Sequence, residues 1–179
     1  GLIVDGRPGR PVIAPVVVAR AAGLLTAANE VPIRAEAALE DCLDAEIVCV
    51  PELMVAPGEP LDGRFGAEVD WLRRCHARGA TLATACSGAL LLAEAGLLDK
   101  GLATTHWAQA KAFASRYPAV DLRVSEILTE QNRILCSGAV TTSLNLAIRL
   151  VEKFAGAEIA AATAKMMLID TNRGSQASY

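Results

Sequence analysis

Apolar and polar positions alternate along the chain in two kinds of segment. Val12 to Ala19 and Glu46 to Val50 are β-branched apolar runs closed by Ala22-Gly23 and Pro51. Both have the composition of buried strands, although Pro15 argues against a central position for the first. Ala35 to Leu43 has helical composition over a short length. Arg64 to Arg78 sets Phe65, Val69, Leu72 and Cys75 on one helical stripe, with Asp70, Arg73, Arg74 and Arg78 elsewhere and Gly79 as the stop. That spacing predicts an amphipathic helix. The apolar run Ala80 to Ala83 follows as a strand, and Ser87 to Ala95 as a helix.

Farther on, the turn Asp99-Lys100-Gly101 introduces a short strand, Leu102 to Thr105, and a helix from Trp107 to Tyr117 ended by Pro118. Leu122 to Leu128 and Arg133 to Cys136 flank a hairpin turn at Thr129-Glu130-Gln131-Asn132. Ser137-Gly138 then turns into a long helix, Val140 to Phe154, and Gly156 separates it from Ala157 to Ile169. This order predicts an α/β fold, a three-layer sandwich around a mostly parallel sheet. The stretch Asp170 to Tyr179 loses apolar periodicity and reads as a domain edge or linker. The expected organisation is one domain over residues 1–170 and a linker over 171–179.

Composition narrows the function classes. The 179 residues are 53% hydrophobic, enough for one large core. Seventeen basic against twenty acidic side chains give a net charge of -3, and no segment concentrates Lys and Arg, so this chain alone is expected to bind DNA poorly. The five cysteines are odd in number and lie mostly within apolar patterns, which argues against a disulfide framework and for a reducing, cytoplasmic setting. Val12 to Leu25 and Ala89 to Leu98 are interrupted by Arg20 and Glu94 and fall short of the roughly 20 residues that cross a bilayer. The opening Gly1 to Gly9 has no signal-peptide pattern and looks fragmentary, as if a native N-terminus preceded it. No metal or cofactor motif is found.

The chemistry centres on Ala83-Thr-Ala-Cys-Ser-Gly-Ala89, a strand, a sharp turn and a helix with Cys86 on the turn. Unpaired N–H groups and the positive end of a helix dipole would favour the thiolate there. In an open parallel sheet, ligands bind at the carboxyl ends of the strands. The Cys86 turn, the Thr104-Thr105-His106-Trp107 turn and the Cys136-Ser137-Gly138 turn are expected to converge at that end. His106 follows a strand by position, whereas His76 lies among charges on a helix, so His106 is the expected partner of Cys86. The N–H groups of Ser87 and Gly88 could hold an oxyanion. The candidate ligand-binding set is Cys86, Ser87, Gly88, His106, Trp107, Ser137 and Gly138, with Cys86 and His106 catalytic if the domain is an enzyme. Cys42, Cys49 and Cys75 read as core residues, and Cys136 as either core or pocket. Trp107 either lines the pocket or anchors its helix. Glu52 reads as a solvated loop carboxylate, with a role as acidic partner of the thiol as the other possibility.

At these residues the chain resembles the DJ-1/ThiJ/PfpI superfamily, which implies a class I glutamine-amidotransferase-like, flavodoxin-like sandwich with its cysteine on a nucleophile elbow. More narrowly, Ala85 to Asp99, Ala-Thr-Thr-His-Trp-Ala (103–108), Arg-Tyr-Pro (116–118) and Ile-Leu-Cys-Ser-Gly-Ala-Val-Thr (134–141) resemble the N-terminal sensor domain of GlxA-type regulators of the AraC family. Asp170-Thr-Asn-Arg-Gly-Ser-Gln is similar to the boundary at which such regulators pass to a helix-turn-helix domain. There are departures. The family's first strand and helix, which supply an acidic residue to the cysteine in enzymatic relatives, are absent from the sequence. The family's Pro-Gly-Gly loop reads Pro51-Glu52-Leu53-Met54 here, which weakens any case for glutamine hydrolysis.

The resemblance implies two functions in competition. The preferred one is a dimerising regulatory domain that senses a small metabolite in a Cys86/His106 pocket, its homodimer reaching DNA only through a helix-turn-helix domain outside this chain. The alternative is an enzyme similar to isonitrile hydratases, with Cys86 as nucleophile and His106 as proton shuttle. Both lead to the expectation that Cys86 alkylates faster than the other four cysteines.

Overall fold

Which way side chains point from four strands decides the layering. The computed structural model describes residues 12–172 and 174–177, together with the paired backbone of Ile3–Val4 and Arg7–Pro8. The central sheet consists of β1 (Ile47–Val50), β2 (Thr81–Ala85), β3 (Leu128–Gln131) and β4 (Ile134–Ser137), in the spatial order β3-β4-β2-β1. β2 pairs in parallel with both β1 and β4, and β3 pairs antiparallel with β4. Successive residues face opposite sides. Val48, Val50, Leu82, Ile134 and Cys136 pack with Trp71, Leu72 and Cys75 of α1 (Gly66–Ala77) and with Leu90 to Ala93 of α2 (Ala89–Glu94). Ala83 and Leu135 face the other way, onto Leu146 and Leu150 of α4 (Thr142–Ala155). A helix layer thus covers each face, as the alternation of segments predicts. α3 (Ala110–Arg116) joins the first layer through Phe113, and α5 (Ala157–Met166) stacks on α4 through Ala160 and Ala164.

Four local expectations are corrected. Val12 to Ala19 is not a buried strand: only Val18–Ala19 pairs, in parallel with Ala37–Ala38, and Val12, Val16 and Val17 are exposed. The helix expected over Ala35 to Leu43 is a strand end, this short pair and a 3-10 turn, Leu39–Cys42. Leu102 to Thr105 contributes only Leu102–Ala103, paired with Asp121–Leu122 outside the central sheet. The hairpin turn is Asn132-Arg133, sharing only its first residue with the expected turn over Thr129 to Asn132, and both residues have positive φ (51° and 61°). Two such residues make the tight turn whose twist matches its strands, so Thr129 to Gln131 remain in β3.

The polar tail also returns to the domain. Ser175 bridges Glu126 in antiparallel fashion, and Gln176 is buried. Among the described residues no helix is long and apolar enough to cross a membrane.

Candidate functional site

Cys86 follows the last residue of β2 with φ at 55°, in the left-handed region that a non-glycine residue enters only when its surroundings hold it there. A 3-10 turn, Cys86–Gly88, leads straight into α2. Gly88 makes this elbow possible, because a Cβ at that position would strike Thr84 Oγ1 and sit 2.6 Å from the carbonyl oxygen of Pro51. Any larger residue would push the elbow off the end of β1.

Ser87 fixes the neighbouring loop. Its hydroxyl donates to the carbonyl of Leu53 at 2.7 Å and accepts the N–H of Leu53 at 2.9 Å. Gln109 pins the same loop from the other side, donating Nε2–H to the carbonyl of Val55 at 3.2 Å. Held in this way, the loop brings the Glu52 carboxylate to the thiol: Cys86 Sγ donates to Glu52 Oε1 at 3.5 Å. Glu52 is exposed, as a loop carboxylate should be, and it also reaches the thiol, so both readings of it hold. The signal that would have found this contact is its place one residue beyond Pro51, at the carboxyl end of β1 and beside the elbow.

The expectation of a favoured thiolate is overturned. Burial pushes the Cys86 thiol up to about 11, the backbone N–H of Ser87 pulls the other way, and the Glu52 carboxylate adds to the rise. Cys86 is only 4% exposed, and the hydrogen bonds from Ser87 at the start of the turn do not offset the loss of water. At neutral pH the site holds a neutral thiol that donates a hydrogen bond.

His106 is half-buried, and Sγ bonds to Glu52 instead of to it. The N–H of Ala108 donates to His106 Nδ1 at 3.2 Å, which puts the proton of the neutral ring on Nε2. The ring lies 5.3 Å from that of Trp107, tilted by 34°, and Trp107 is exposed, anchoring nothing in the core. The neighbouring Thr105 touches the elbow: its buried hydroxyl donates to the carbonyl of Cys86 at 2.9 Å. His76 lies away from the elbow, bonded through Nε2 to the carbonyl of Asn132 in the hairpin turn.

The third turn is close by but occupied. Ser137 pairs in register with Ala85, is fully buried and has no partner for its hydroxyl. Cys136 points into the core, where burial holds its thiol far above the ordinary range, so the core reading is the right one for it. Space at Gly138 is taken by the Gln176 side chain, whose amide atoms would lie 2.5 to 2.8 Å from any Cβ there. Two cavities, of about 310 and 240 Å³, lie elsewhere: one is lined by Asp44, Arg78 and Thr81, the other by Leu61, Val69 and Arg73. The Cys86 cluster lines neither.

No protein-family model matches the chain. Among curated proteins it is 31% identical over 154 residues to the HTH-type transcriptional regulator CdhR of Pseudomonas aeruginosa, covering 86% of this chain and 44% of CdhR. It is 24% identical over 137 residues to an isonitrile hydratase of Pseudomonas putida, covering 76% and 57%. The HTH-type regulator GlxA of Rhizobium meliloti is 29% identical over 136 residues, covering 74% and 40%. The chain thus spans about half the length of these relatives or less. Among solved structures, an AraC family transcriptional regulator from Pseudomonas putida superposes with a TM-score of 0.71 at 18% identity, covering 85% of this chain and 80% of that one. Drosophila melanogaster DJ-1beta gives 0.69 at 18% identity, covering 83% and 78%. A ThiJ/PfpI family protein from Pseudomonas syringae gives 0.66 at 23%, covering 88% and 64%. The chain has the DJ-1/ThiJ/PfpI fold and is related in sequence to HTH-type transcriptional regulators of the GlxA kind.

Proposed function

We propose that this domain is the metabolite-sensing, dimerising part of an AraC-type transcription regulator, with its ligand at the Cys86/His106 end of the sheet and its DNA contacts made by a helix-turn-helix segment beyond Tyr179. The observation that carries this reading is the state of Cys86. A thiol that titrates at about 11 and already donates its proton to Glu52 is a poor nucleophile, which favours binding over covalent catalysis at this end of the sheet. The relatedness to CdhR and GlxA supports the same direction. His106 Nε2–H and the exposed face of Trp107 add a donor and an aromatic surface for a small polar ligand. Such a ligand shifts the domain between two arrangements only by its differential affinity for them.

The reading frame past Tyr179 and turnover assays test this together. A helix-turn-helix segment after this domain, with no turnover of isonitriles or 2-oxoaldehydes, is expected. A frame that stops near Tyr179, or turnover that Cys86→Ala abolishes, overturns it.

One observation favours a second reading, an isonitrile hydratase-like enzyme. The Glu52 carboxylate, 3.5 Å from Sγ, could take the thiol proton as Cys86 adds to an electrophilic carbon. In that case Glu52, not His106, is the base. Turnover lost in Glu52→Gln but kept in His106→Ala would identify it.

A further inference from the structure

We infer that residues 174–177 form an intramolecular latch, with Gln176 as its bolt, that couples the end of the domain to the turn holding Cys86. The inference rests on the regulator reading for its purpose, but its mechanics stand on the contacts alone. Gln176 is 4% exposed although it sits in an otherwise polar, exposed stretch. Its Nε2 lies 3.4 Å from Thr104 Oγ1, 3.2 Å from the carbonyl of Thr105, 2.5 Å from that of Val124 and 3.3 Å from that of Glu126. All four are acceptors here, so the orientation of the amide is set: a flipped side chain would aim its oxygen at three carbonyls. The backbone completes the dock, with Gln176 N–H donating to the carbonyl of Ser125 at 2.8 Å and Ser175 Oγ donating to the same oxygen at 3.0 Å.

Thr105 makes this a coupling device and not merely a docked tail. Its carbonyl accepts from Gln176, and its hydroxyl donates to the carbonyl of Cys86. Any ligand that displaces the Thr105-His106 turn must change both bonds. The latch is also poised for release. Gln176 Oε1 is buried with no partner, a cost that undocking removes. In the approach to it Met166, Met167 and Leu168 are exposed, Ile169 packs against Ala160 and Ala164 of α5, and the Asn145 side chain donates to the carbonyl of Asp170. Gly138 supplies the keyhole, since the Gln176 amide occupies the space its Cβ would fill.

Two variants of this chain test the latch: Gln176→Glu, whose carboxylate faces the same oxygens without a donor, and Gly138→Ala, which fills the keyhole. The readouts are site-resolved amide exchange over Thr104 to His106 and the iodoacetamide alkylation rate of Cys86. With circular dichroism unchanged, both variants are expected to raise both rates about fivefold, the equivalent of one buried hydrogen bond lost. Unchanged rates in Gln176→Glu overturn the latch. That variant leaves the backbone in place, so it decides the matter even if Gly138→Ala does not fold. Failure of the regulator reading is distinct: the exchange rates would still rise, but in the full-length protein Gln176→Glu would leave DNA affinity unaltered.

Discussion

Cys86 Sγ donates to the carboxylate of Glu52 across 3.5 Å, a contact 34 positions apart in the chain, while the His106 ring turns its Nδ1 to the backbone of Ala108. The thiol is therefore paired with a carboxylate and not with the imidazole, and the charge balance works against the thiolate. Replacing Glu52 with Gln removes the negative charge and the charged acceptor, both of which raise the thiol. The inflection in the pH dependence of Cys86 alkylation is expected to move down in Glu52→Gln, with burial keeping it above 9.0, the ordinary thiol value. An unmoved inflection would show that the carboxylate does not act on the sulfur.

The order in which the cysteines react follows from the same balance. A thiol titrating at about 11 is ionised on the order of once in three thousand molecules at pH 7.5. Cys49 lies on the edge strand and is exposed as a residue, although the surroundings of its sulfur also raise it. Under brief iodoacetamide treatment, peptide mass spectrometry is expected to find Cys49 modified before Cys86. Cys86 labelled first would restore the activated thiol expected from its position on the elbow.

Two substitutions at the elbow test its packing and its bonding. Gly88→Ala drives a methyl group against Thr84 Oγ1 and the Pro51 carbonyl, and is expected to cost about 1–3 kcal/mol in urea unfolding. Ser87→Ala leaves both backbone groups of Leu53 without their partner and is expected to cost about 1–3 kcal/mol as well. Both should also shift the Cys86 titration, Gly88→Ala by displacing the elbow, and Ser87→Ala by removing a side-chain hydrogen bond that lowers the thiol and by releasing the loop that carries Glu52.

Stability should fall on the alkaline side. The Cys86 and Cys136 thiols and the Tyr117 phenol are all raised by burial, Tyr117 also by its bond to Glu94. Each is protonated in the folded state while its unfolded counterpart has begun to ionise, so the unfolded chain binds fewer protons and the free energy of unfolding declines with pH. The decline begins near 9, where free thiols ionise, and continues for Cys86 to about 11. Urea midpoints measured from pH 7 to pH 10.5 check this: a flat profile to pH 8.5 and then a fall are expected, with a shallower fall in Cys86→Ala.

Much of this was legible in the sequence where periodicity and punctuation coincide. Arg64 to Arg78 announces α1 through its apolar stripe and Gly79, and Thr81–Ala85 with Gly88 announces the elbow. Val12 to Ala19 misled because β-branched composition marks a strand only if a neighbour pairs with it, and just Val18–Ala19 finds one. The hairpin turn was misplaced because Arg133 adopts positive φ, which its identity does not signal. Within the site, the placement of Cys86 could be read but the charge state of its thiol could not, since burial and the reach of Glu52 arise only on folding. Gln176 was invisible for a related reason: a single glutamine in a polar stretch has no pattern until Gly138 and Thr105 are in place around it.

The most direct measurement is the titration of Cys86 itself in the folded protein, followed as site-resolved alkylation rates from pH 6 to pH 11. A rate that keeps rising toward an inflection near 11 is the expected result. A plateau reached below pH 8 would mean a thiolate at neutral pH, and would contradict the neutral, hydrogen-bonding thiol on which the sensing role depends.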